Sequence, residues 1–447
     1  MDSVKLSDIA TMAEGELHGQ DAVINGLSTN SRQIENDQIF VALKGAKFDG
    51  HDFIDAGFSS RAKALFLHRE VKSELPKIMV EDTLSGISKW AHAWRCKLNP
   101  YLIAVTGSNG KTTVKQMLTS VFSQAGDTSS TRGNLNNHIG VPLTLLQLNQ
   151  HNQFAVIEMG ANHIGEINHL SHLATPDIAI ITNAGPAHLE GFGSIDGVAK
   201  GKGEIINGVR EGGHIILNAD DQYLNFWCHK AQHLNITTFG FSDTADVRGI
   251  IKERNKLIVS SHAKQLTITL PILGKHNACN ALAVVAAAQV AGISDHNIKV
   301  GLEGMTQATS RLQIKITHAG AQIIDDTYNA NPASLGAAIE VLCTQSDDGW
   351  LVLGDMGELG PDEQTIHADM GRLAKSLGVK KLFTLGQLSQ YAAQGFGNDG
   401  FSFQDHQSLA ESISSQLHKD CCVLVKGSRA MQMEKIVNLL VAHKALN

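Results

Sequence analysis

The sequence predicts an α/β protein with three domains, the central one built around a sheet of parallel strands. Three observations predict this fold. Short apolar runs alternate with helical stretches between residues 81 and 310, which is typical of a doubly wound sheet. One of these runs, residues 102–105, leads through a glycine-rich turn into a helical pattern. The chain has 447 residues, which is too long for one ordinary hydrophobic core.

The three predicted domains differ in their patterns. Residues 1–80 have short strands, polar turns and no phosphate loop, and they predict a small N-terminal α/β module. Residues 81–310 predict a central P-loop ATPase-like doubly wound sheet, and residues 311–447 predict a C-terminal Rossmann-like α/β domain. The buried parallel strands predicted in the central sheet include residues 154–160, 177–184 and 214–218.

The glycine-rich turn has the features of a phosphate-binding loop. Backbone N–H groups of such a turn and the N-terminus of the next helix surround phosphate groups. Lys111 is expected to reach the β- and γ-phosphates of a nucleotide, and the Thr112 hydroxyl is expected to bind Mg²⁺. The usual pattern G-x-x-x-x-G-K-[ST] has glycine where this chain has Val105, so an ordinary strand–helix turn is the simpler alternative. The candidate nucleotide-binding residues are Gly107, Ser108, Asn109, Gly110, Lys111, Thr112 and Thr113.

Composition excludes several other classes of protein. A hydrophobic fraction of 43% and a charged fraction of 18% predict a folded globular protein. The formal charge of −7 and the absence of lysine or arginine runs argue against a nucleic-acid surface. No apolar segment is long enough to span a bilayer, and the N-terminus has no apolar signal core. The six cysteines lack metal-binding spacing, and Cys421 and Cys422 are expected to be buried reduced thiols. The protein is therefore expected to be cytoplasmic. Nothing in the sequence suggests an obligate oligomer, so a monomer is expected.

Polar residues follow the predicted strands of the central domain. Glu158 ends the strand that begins at Phe154, where its carboxylate could complete a Mg²⁺ shell with Thr112. A salt-bridged or helix-capping glutamate is the alternative. His188 follows the next strand, and a lone histidine there is more often a surface or hydrogen-bonding residue. Residues 199–205, Ala-Lys-Gly-Lys-Gly-Glu-Ile, are by themselves only a basic helix start.

Two further segments carry candidate residues. Asn277 opens a strongly apolar helical stretch, where it is either an N-cap or a group that reads a base edge. The strand at 321–326 ends in Asp-Asp-Thr-Tyr-Asn-Ala-Asn-Pro, an Asx-rich turn with a helix cap. So many hydrogen-bonding groups in one loop favour a functional role.

These motifs, in this order, resemble those of the Mur ligase family, whose members form amide bonds at the expense of ATP. The resemblance rests on Thr-Gly-Ser-Asn-Gly-Lys-Thr-Thr at 106–113, on Ala-His-Leu-Glu at 187–190 and on the lysine motif at 199–205. It extends to Ser-Arg before Phe-Val-Ala-Leu and to the later Asp-Gly-His in the N-terminal segment. It covers essentially the whole chain. The compact loop is shared with folylpolyglutamate synthetases, which belong to the same superfamily.

The resemblance implies roles for individual residues. In the family the N-terminal domain holds the UDP end of the substrate, and the matching residues are Ser31, Arg32, Gly45, Asp49 and His51. A histidine and a lysine carbamylated by CO₂ hold a second Mg²⁺; His188 and Lys202 match them, with Lys200 as the other candidate lysine. Asn277 and Asn280 would lie near adenine, Arg311 near the phosphates, and Asp326 or Asp325 at the ribose. Tyr328, Asn329 and Asn331 match substrate-binding positions, and Lys111, His188, Lys202 and Arg311 are the implied catalytic residues.

The third domain resembles one branch of the family in particular. Tyr-Asn-Ala-Asn-Pro, Gly-Asp-Met-Gly-Glu-Leu-Gly and Lys-Gly-Ser-Arg resemble the branch that adds D-alanyl-D-alanine to UDP-N-acetylmuramoyl-tripeptide for peptidoglycan synthesis. The Asp-Asn-Pro-Arg stretch of the diaminopimelate-adding branch is absent from the sequence. Whether the tripeptide ends in meso-diaminopimelate or lysine is left open.

Two alternatives remain at the level of sequence. A folylpolyglutamate synthetase-like ligase would share the phosphate loop but lack the N-terminal UDP module. A P-loop ATPase or regulatory nucleotide-binding protein would hydrolyse ATP without a carboxylate acceptor, and it would not need the polar loops of the third domain.

Overall fold

The computed structural model describes residues 1–45, 47–54, 58, 62–253, 255–261, 264–306 and 310–442. Its strands form sheets of five, nine and six strands and one two-stranded ribbon. The α/β fold with three sheet-containing parts, which the sequence predicts, is confirmed. None of the helices in the described ranges has the length and apolar character needed to cross a membrane. All six cysteines are free; Cys421 and Cys422 are buried, as predicted, and Cys96 is exposed.

The N-terminal part is a small α/β module. Its five-stranded sheet has the order β2-β7-β6-β5-β4, in which only the β2–β7 pair is antiparallel, and β1 pairs with β3 in the separate ribbon. The elements are β1 (Val4–Lys5), α1 (Leu6–Ala13), β2 (Glu16–His18), β3 (Val23–Ile24), β4 (Leu27–Ser28), β5 (Ile39–Val41), a 3₁₀ helix (Gly50–Phe53), β6 (Ala64–Leu67), β7 (Lys77–Met79) and α2 (Thr83–Leu98).

The central part contains the predicted doubly wound sheet, with the order β16-β15-β14-β13-β12-β11-β8-β10-β9. Its strands are β8 (Tyr101–Thr106), β9 (Thr128–Ser130), β10 (Phe154–Glu158), β11 (Ile178–Ile181), β12 (His214–Asn218), β13 (Asn235–Gly240), β14 (Val247–Lys252), β15 (Lys256–Ser261) and β16 (Lys264–Thr269). Its helices are α3 (Lys111–Phe122), α4 (Gly140–Leu145), α5 (Glu166–Ala174), α6 (Leu189–Phe192), α7 (Ile195–Gly203), α8 (Leu224–Lys230), α9 (Lys275–Val290) and α10 (Asp295–Glu303), with a 3₁₀ helix at Glu204–Gly208.

The central sheet differs from the prediction at one edge. Strands β8 to β14 are parallel, whereas β15 and β16 continue the sheet as an antiparallel meander. Strand β15 alternates between buried and less buried residues because one of its faces is more open to solvent, which antiparallel strands tolerate. The apolar helix α9 packs against β12, β13 and β14, and it is therefore buried on most of its surface.

The C-terminal part is a mostly parallel sheet with helices on both faces. Its order is β17-β18-β22-β19-β20-β21, and only the edge pair β17–β18 is antiparallel. The elements are β17 (Gln313–Ile316), β18 (Gln322–Asp326), α11 (Pro332–Gln345), β19 (Gly349–Gly354), α12 (Glu363–Ser376), β20 (Lys381–Leu385), α13 (Ser389–Phe396), β21 (Gly400–Phe403), α14 (His406–Ser414), β22 (Cys422–Lys426), a 3₁₀ helix (Arg429–Met431) and α15 (Glu434–Ala442).

Strand register brings the candidate groups of the central sheet to one edge. Glu158 in β10 pairs with Val105 in β8, and Ile181 in β11 pairs with Thr106 in β8. The loops after these three strands therefore start at the same level of the sheet, above the N-terminus of α3. This is the edge where ligands of open parallel sheets bind.

A buried arginine connects α2 to the central part. Arg95 donates to the carbonyls of Ala174 and Thr175 at 2.7 and 2.9 Å and to Asn99 Oδ1 at 2.9 Å. It lies 3.8 Å from Asp177, which also pairs with Arg210. The guanidinium thus satisfies carbonyls at the C-terminal end of α5 that are otherwise without helical partners.

We expect Arg95→Met to destabilise the protein by about 2–3 kcal/mol, because buried carbonyl acceptors lose their donors. Urea unfolding followed by tryptophan fluorescence measures the shift. Arg372→Met is the matched control, since Arg372 makes an exposed pair with Asp369 and its loss is expected to cost about 0.5 kcal/mol or less. Equal shifts for the two variants would contradict the role given to Arg95.

Candidate active site

The phosphate loop has the backbone that its two glycines predict. Helix α3 starts at Lys111 with Gly110 as its N-cap, and Gly107 and Gly110 have φ values of 147° and 83°. A Cβ atom on Gly107 would lie 1.9 Å from the Thr182 hydroxyl oxygen, and one on Gly110 would lie 2.4 Å from Asn280 Oδ1. Both positions therefore require glycine, and the helix N-terminus is left open toward the cleft.

Lys111 lies folded over this loop. Its Nζ donates to the carbonyls of Gly107 and Ser108 at 2.7 and 3.1 Å. Burial lowers the pKa of Lys111, the nearby Glu158 carboxylate raises it, and Arg311 lowers it further. The amine is thus held by neutral carbonyl oxygens that an anionic phosphate group could replace as partners.

The Thr112–Glu158 pair predicted as a Mg²⁺ site is present. The Thr112 hydroxyl donates to Glu158 Oε1 at 3.2 Å, and the Asn136 side chain donates to the same oxygen at 2.8 Å. Glu158 is almost fully buried, and its Oε2 lies 3.3 Å from the buried Nζ of Lys115. The salt bridge offered as the alternative is therefore present as well, and a role of Thr112 and Glu158 in holding Mg²⁺ stays a prediction.

His188 and Lys202 lie close enough for their charges to interact, but only His188 lines the cleft. Lys202 is 1% exposed; its Nζ donates to the Ala161 carbonyl at 3.2 Å and lies over the Phe192 ring. Burial and the charge of Lys111 lower the pKa of Lys202 to about 7. The other candidate, Lys200, is exposed.

The C-terminal part closes over the phosphate loop. Arg311 Nη2 donates to the Thr112 hydroxyl oxygen at 3.2 Å, and its guanidinium stacks on the Tyr328 ring at 4.1 Å. Asn331 caps α11 through a bond from Ser334 N, and its Nδ2 donates to Asn109 Oδ1 at 2.8 Å. Two residues of the third domain are thus hydrogen-bonded to the loop itself.

The structure distinguishes between the two neighbouring aspartates. Asp326 faces the cleft, where Lys426 Nζ donates to its Oδ2 at 2.5 Å and to the Asn329 carbonyl at 2.9 Å. Asp325 is buried on the other face of the strand and pairs with Lys315 at 2.7 Å. Because successive side chains of β18 point to opposite faces of the sheet, Asp326 is the one of the two carboxylates that a ligand in the cleft can reach.

Asn277 is not the N-cap suggested as one alternative. Helix α9 starts at Lys275 with Gly274 as its N-cap, so Asn277 lies within the first turn and donates to the Leu273 carbonyl at 2.7 Å. Asn280 lies one turn further along and donates to Asn277 Oδ1 at 3.4 Å. Both asparagines are nearly buried and line the cleft, where their amides remain close to the loop.

These groups enclose a cavity of about 780 Å³ between the central and C-terminal parts. Among the predicted residues it is lined by Ser108, Asn109, Gly110, Lys111, Thr112, Thr113, Glu158, His188, Asn277, Asn280, Arg311, Asp326, Tyr328, Asn329 and Asn331. Gly107, Lys202, Lys200 and Asp325 are not among the lining residues. The volume suits a nucleotide together with the reacting ends of other substrates.

Sequence reasoning missed several residues of this cavity, including Asn136, His138 and His276. His276 precedes Asn277 directly, and burial lowers its pKa to about 4. Asn136 and His138 belong to the segment 131–139, whose Arg-Gly-Asn-Leu-Asn-Asn-His pattern offers the only local signal, a cluster of amides next to a glycine.

The N-terminal candidates lie outside this cavity. Among Ser31, Arg32, Gly45, Asp49 and His51, none lines it. His51 is buried, with its Nδ1 2.6 Å from Asp49 Oδ1 and its Nε2 accepting from His68 N at 3.2 Å, so its side chain is packed inside the loop. Burial raises the pKa of Asp49, but bonds from His51 and the charge of Arg69 bring it down to about 2. Both ring nitrogens of His51 are thus engaged, which leaves neither for a metal.

Comparison with known proteins matches three family models along the chain. The model described as "Mur ligase family, catalytic domain" matches residues 23–83, "Mur ligase middle domain" matches 105–288, and "Mur ligase, glutamate ligase domain" matches 310–429. A relative from Escherichia coli (strain K12), UDP-N-acetylmuramoyl-tripeptide–D-alanyl-D-alanine ligase, is 37% identical over 98% of this chain and 99% of its own.

Two solved structures extend this similarity to the fold. MurF from Acinetobacter baumannii superimposes with a TM-score of 0.94 at 33% identity, over 99% of this chain and 100% of that one. MurF ligase from Thermotoga maritima, solved in complex with ADP, superimposes with a TM-score of 0.83 at 27% identity, over 93% of this chain and 96% of that one. The similarity thus spans all three parts of the chain.

We expect Lys111→Ala to lower ATP turnover by at least about 100-fold, because a half-buried cation that offsets phosphate charge is lost. The fold should be retained, with an unchanged circular dichroism spectrum and melting temperature. Lys200→Ala is the control, since Lys200 carries the same charge as Lys111 but is exposed to solvent. Near-normal turnover in Lys111→Ala would show that the loop does not bind the nucleotide phosphates.

Proposed function

The chain belongs to the Mur ligase family, and we propose that it adds D-alanyl-D-alanine to UDP-N-acetylmuramoyl-tripeptide in an ATP-dependent reaction. The product is UDP-N-acetylmuramoyl-pentapeptide, a precursor of peptidoglycan. The similarity to the Escherichia coli relative over nearly the full length of both chains supports the choice of substrates. The observation that carries the proposal is one cavity that joins a phosphate loop to the polar loop after β18.

The reaction begins with activation of a carboxylate. The free carboxylate of the tripeptide attacks the γ-phosphorus of ATP, which breaks the bond to the β-phosphate oxygen and gives an acyl phosphate and ADP. The ammonium group of D-alanyl-D-alanine loses a proton to water, and the resulting amine attacks the acyl carbon. The C–O bond breaks, phosphate leaves with its bonding electrons, and the nitrogen releases its second surplus proton to water. The protein contributes mainly positioning and charge neutralisation.

The chain's own residues have distinct parts in this reaction. Lys111 and Arg311 offset the negative charge that accumulates on the transferred phosphoryl group. Asn277 and Asn280 hold the adenine edge, and Asp326 accepts hydrogen bonds from the ribose hydroxyls. The Lys426–Asp326 contact supports this role, because it fixes the carboxylate at the cleft surface. Tyr328, Asn329 and Asn331 border the substrate ends of the same cavity.

The residues present fit a Mg²⁺ ion at the phosphate loop. Thr112 and Glu158 provide hydroxyl and carboxylate oxygens within 3.2 Å of each other, which is the type of ligand Mg²⁺ prefers. When bound, Mg²⁺ would neutralise and orient the β- and γ-phosphates. Lys115 and Asn136 hold the Glu158 carboxylate in place for this contact.

His188 and Lys202 fit a second Mg²⁺ if Lys202 is carbamylated. Carbamylation requires a neutral amine, and the burial of Lys202 supplies that condition; its lowered pKa of about 7 agrees. The product would be a carboxylate-like group with oxygen ligands for a hard cation. The exposed Lys200 lacks this environment.

The N-terminal part is assigned the UDP end of the substrate. Arg32 is exposed, and its guanidinium suits a pyrophosphate, as do backbone amides around Ser31 and Gly45. Asp49 and His51 shape the loop that follows, through the 2.6 Å contact between them. We assign residues 1–80 to substrate binding, 81–310 to ATP binding and 311–447 to the ligase step, in a cytoplasmic monomer that acts on small molecules.

Phosphate release tests the proposal directly. With ATP and Mg²⁺, release should depend on both UDP-N-acetylmuramoyl-tripeptide and D-alanyl-D-alanine, and mass spectrometry should detect the pentapeptide product. Tripeptides that end in meso-diaminopimelate and in lysine are compared in the same assay to identify the accepted substrate. Release that is indifferent to both substrates would contradict the ligase function.

We expect Lys202→Ala and His188→Ala to raise the Mg²⁺ concentration needed for half-maximal activity. Short carboxylic acids should partly restore Lys202→Ala, because they can replace the lost carbamate oxygens. Lys200→Ala serves as the control and should keep the Mg²⁺ requirement of the parent. Binding of Mg²⁺ by isothermal titration in the presence of ADP gives a second measure. Unchanged Mg²⁺ requirements in both variants would exclude the second metal.

A further inference from the structure

The loop after β19, Gly-Asp-Met-Gly-Glu-Leu-Gly, has no part in the roles given so far, yet it is firmly anchored. Both carboxylate oxygens of Asp355 accept from backbone N–H groups at the start of α13, the closest being Ser389 N at 2.7 Å. His367 is buried, and its Nε2 accepts from Met356 N at 3.0 Å. The backbone before residue 358 is therefore fixed from two sides.

From this anchored loop, Glu358 reaches across the cleft to the central part. Its Oε2 lies against Nδ1 of His188, whose pKa is lowered by burial, and the Glu358 side chain is 54% exposed. Glu358 and His188 both have positive φ values, 60° and 53°, in a region of backbone conformation that residues other than glycine rarely occupy. Such backbone strain is found where the surrounding structure holds a functional group in place.

Glu358 differs from the carboxylates that line the cavity. Glu158 is engaged by Thr112, Asn136 and Lys115. Asp326 is held by Lys426, and Glu166 accepts from the N–H groups of Asn162 and His163. Within the described residues, the contact recorded for the Glu358 carboxylate is the one with His188. Glu358 is therefore the carboxylate beside the cavity that can change its partner most readily.

The second step of the reaction needs such a group. The amine of a dipeptide is mostly an ammonium ion at neutral pH. The cavity that it must enter is lined by Lys111 and Arg311, which repel a cation. The carboxylates that also line it are Glu158, Asp326 and Glu166, and each of them already has a partner in the protein. A carboxylate beside His188, at the border of the cavity, offsets this repulsion and gives the ammonium group a hydrogen-bonding partner.

We propose that Glu358 binds the ammonium group of D-alanyl-D-alanine and positions it toward the acyl carbon. The inference rests on the proposed function, because it concerns the second substrate of that reaction. The ammonium group takes the place that His188 has beside the Glu358 carboxylate. The anchored loop and the left-handed backbone at Glu358 hold the carboxylate in the cleft for this contact.

Glu358→Gln tests the proposal, because glutamine keeps the size and one acceptor oxygen but removes the charge. We expect the KM for D-alanyl-D-alanine to rise about 10- to 100-fold, as for the loss of a charged hydrogen bond. The KM values for ATP and for the tripeptide, and the Mg²⁺ requirement, should stay within about twofold of the parent. Formation of the acyl phosphate, trapped with hydroxylamine without the dipeptide, should also be retained.

Two further variants make the test specific. Asp362→Asn is the control, since Asp362 is an exposed carboxylate near the same loop with no side-chain capping bond. It should leave all KM values unchanged. Glu358→Asp keeps the charge on a shorter side chain and should give a KM for the dipeptide between those of the parent and Glu358→Gln.

Other outcomes would overturn the proposal. An unchanged KM for the dipeptide would exclude ammonium binding by Glu358. A raised Mg²⁺ requirement with an unchanged dipeptide KM would make Glu358 a neighbour of a metal instead, and weaker hydroxylamine trapping would make it a contact for domain closure.

A parent enzyme that traps the acyl phosphate but never uses the dipeptide would remove this inference and the branch assignment together. A parent enzyme that needs no tripeptide for ATP turnover would contradict the proposed function itself.

Discussion

Asn109, in the middle of the phosphate loop, is the residue on which the geometry of the site depends. Its N–H donates to Asn183 Oδ1 at 3.0 Å, and its carbonyl accepts from the Thr182 hydroxyl at 2.6 Å. These bonds fix the loop against the end of β11. Its side chain accepts from Asn331 Nδ2, so the same residue also receives the C-terminal part. One residue therefore links the shape of the loop to the position of the third domain, because its backbone holds the loop and its side chain binds Asn331.

Local sequence predicted the groups whose position follows from a single strand and its turn. The phosphate loop follows from an apolar strand, two glycines and a helix, and Glu158 follows from the end of β10. The choice between Asp325 and Asp326 needed the face of β18, which a short apolar run does not define. The partner of Lys426 could not be predicted for a different reason. Lys426 is the last residue of β22, and only the pairing of β18 with β22 brings it beside Asp326, 100 residues earlier in the chain.

The arrangement of charged groups explains why the basic side chains around this cleft are both partly buried and suited to bind anionic ligands. Burial lowers the pKa of Lys111 and of Lys202, and neighbouring cations lower it further, because Arg311 lies near Lys111 and Lys111 lies near Lys202. Basic groups held close together in this way lower the stability of the protein when no anion is bound. An anionic ligand such as a nucleoside triphosphate removes this cost. The carboxylates that line the cleft, Glu158, Asp326 and Glu166, already have partners in the protein, which is why the more exposed carboxylate of Glu358 beside it is significant for an incoming amine.

The contacts that join the central and C-terminal parts involve groups that also serve ligands. Arg311 donates to Thr112, and Thr112 is the hydroxyl expected to meet Mg²⁺. Asn331 reaches the loop that surrounds the phosphates, and Glu358 reaches His188. Polar contacts of this kind contribute about 1 kcal/mol each, much less than a large apolar interface. A ligand that contacts both parts therefore shifts the balance between open and closed arrangements by its own binding free energy. We therefore propose that closure of the C-terminal part accompanies substrate binding in this chain, because closure would assemble the site and exclude water from an acyl phosphate that water would hydrolyse.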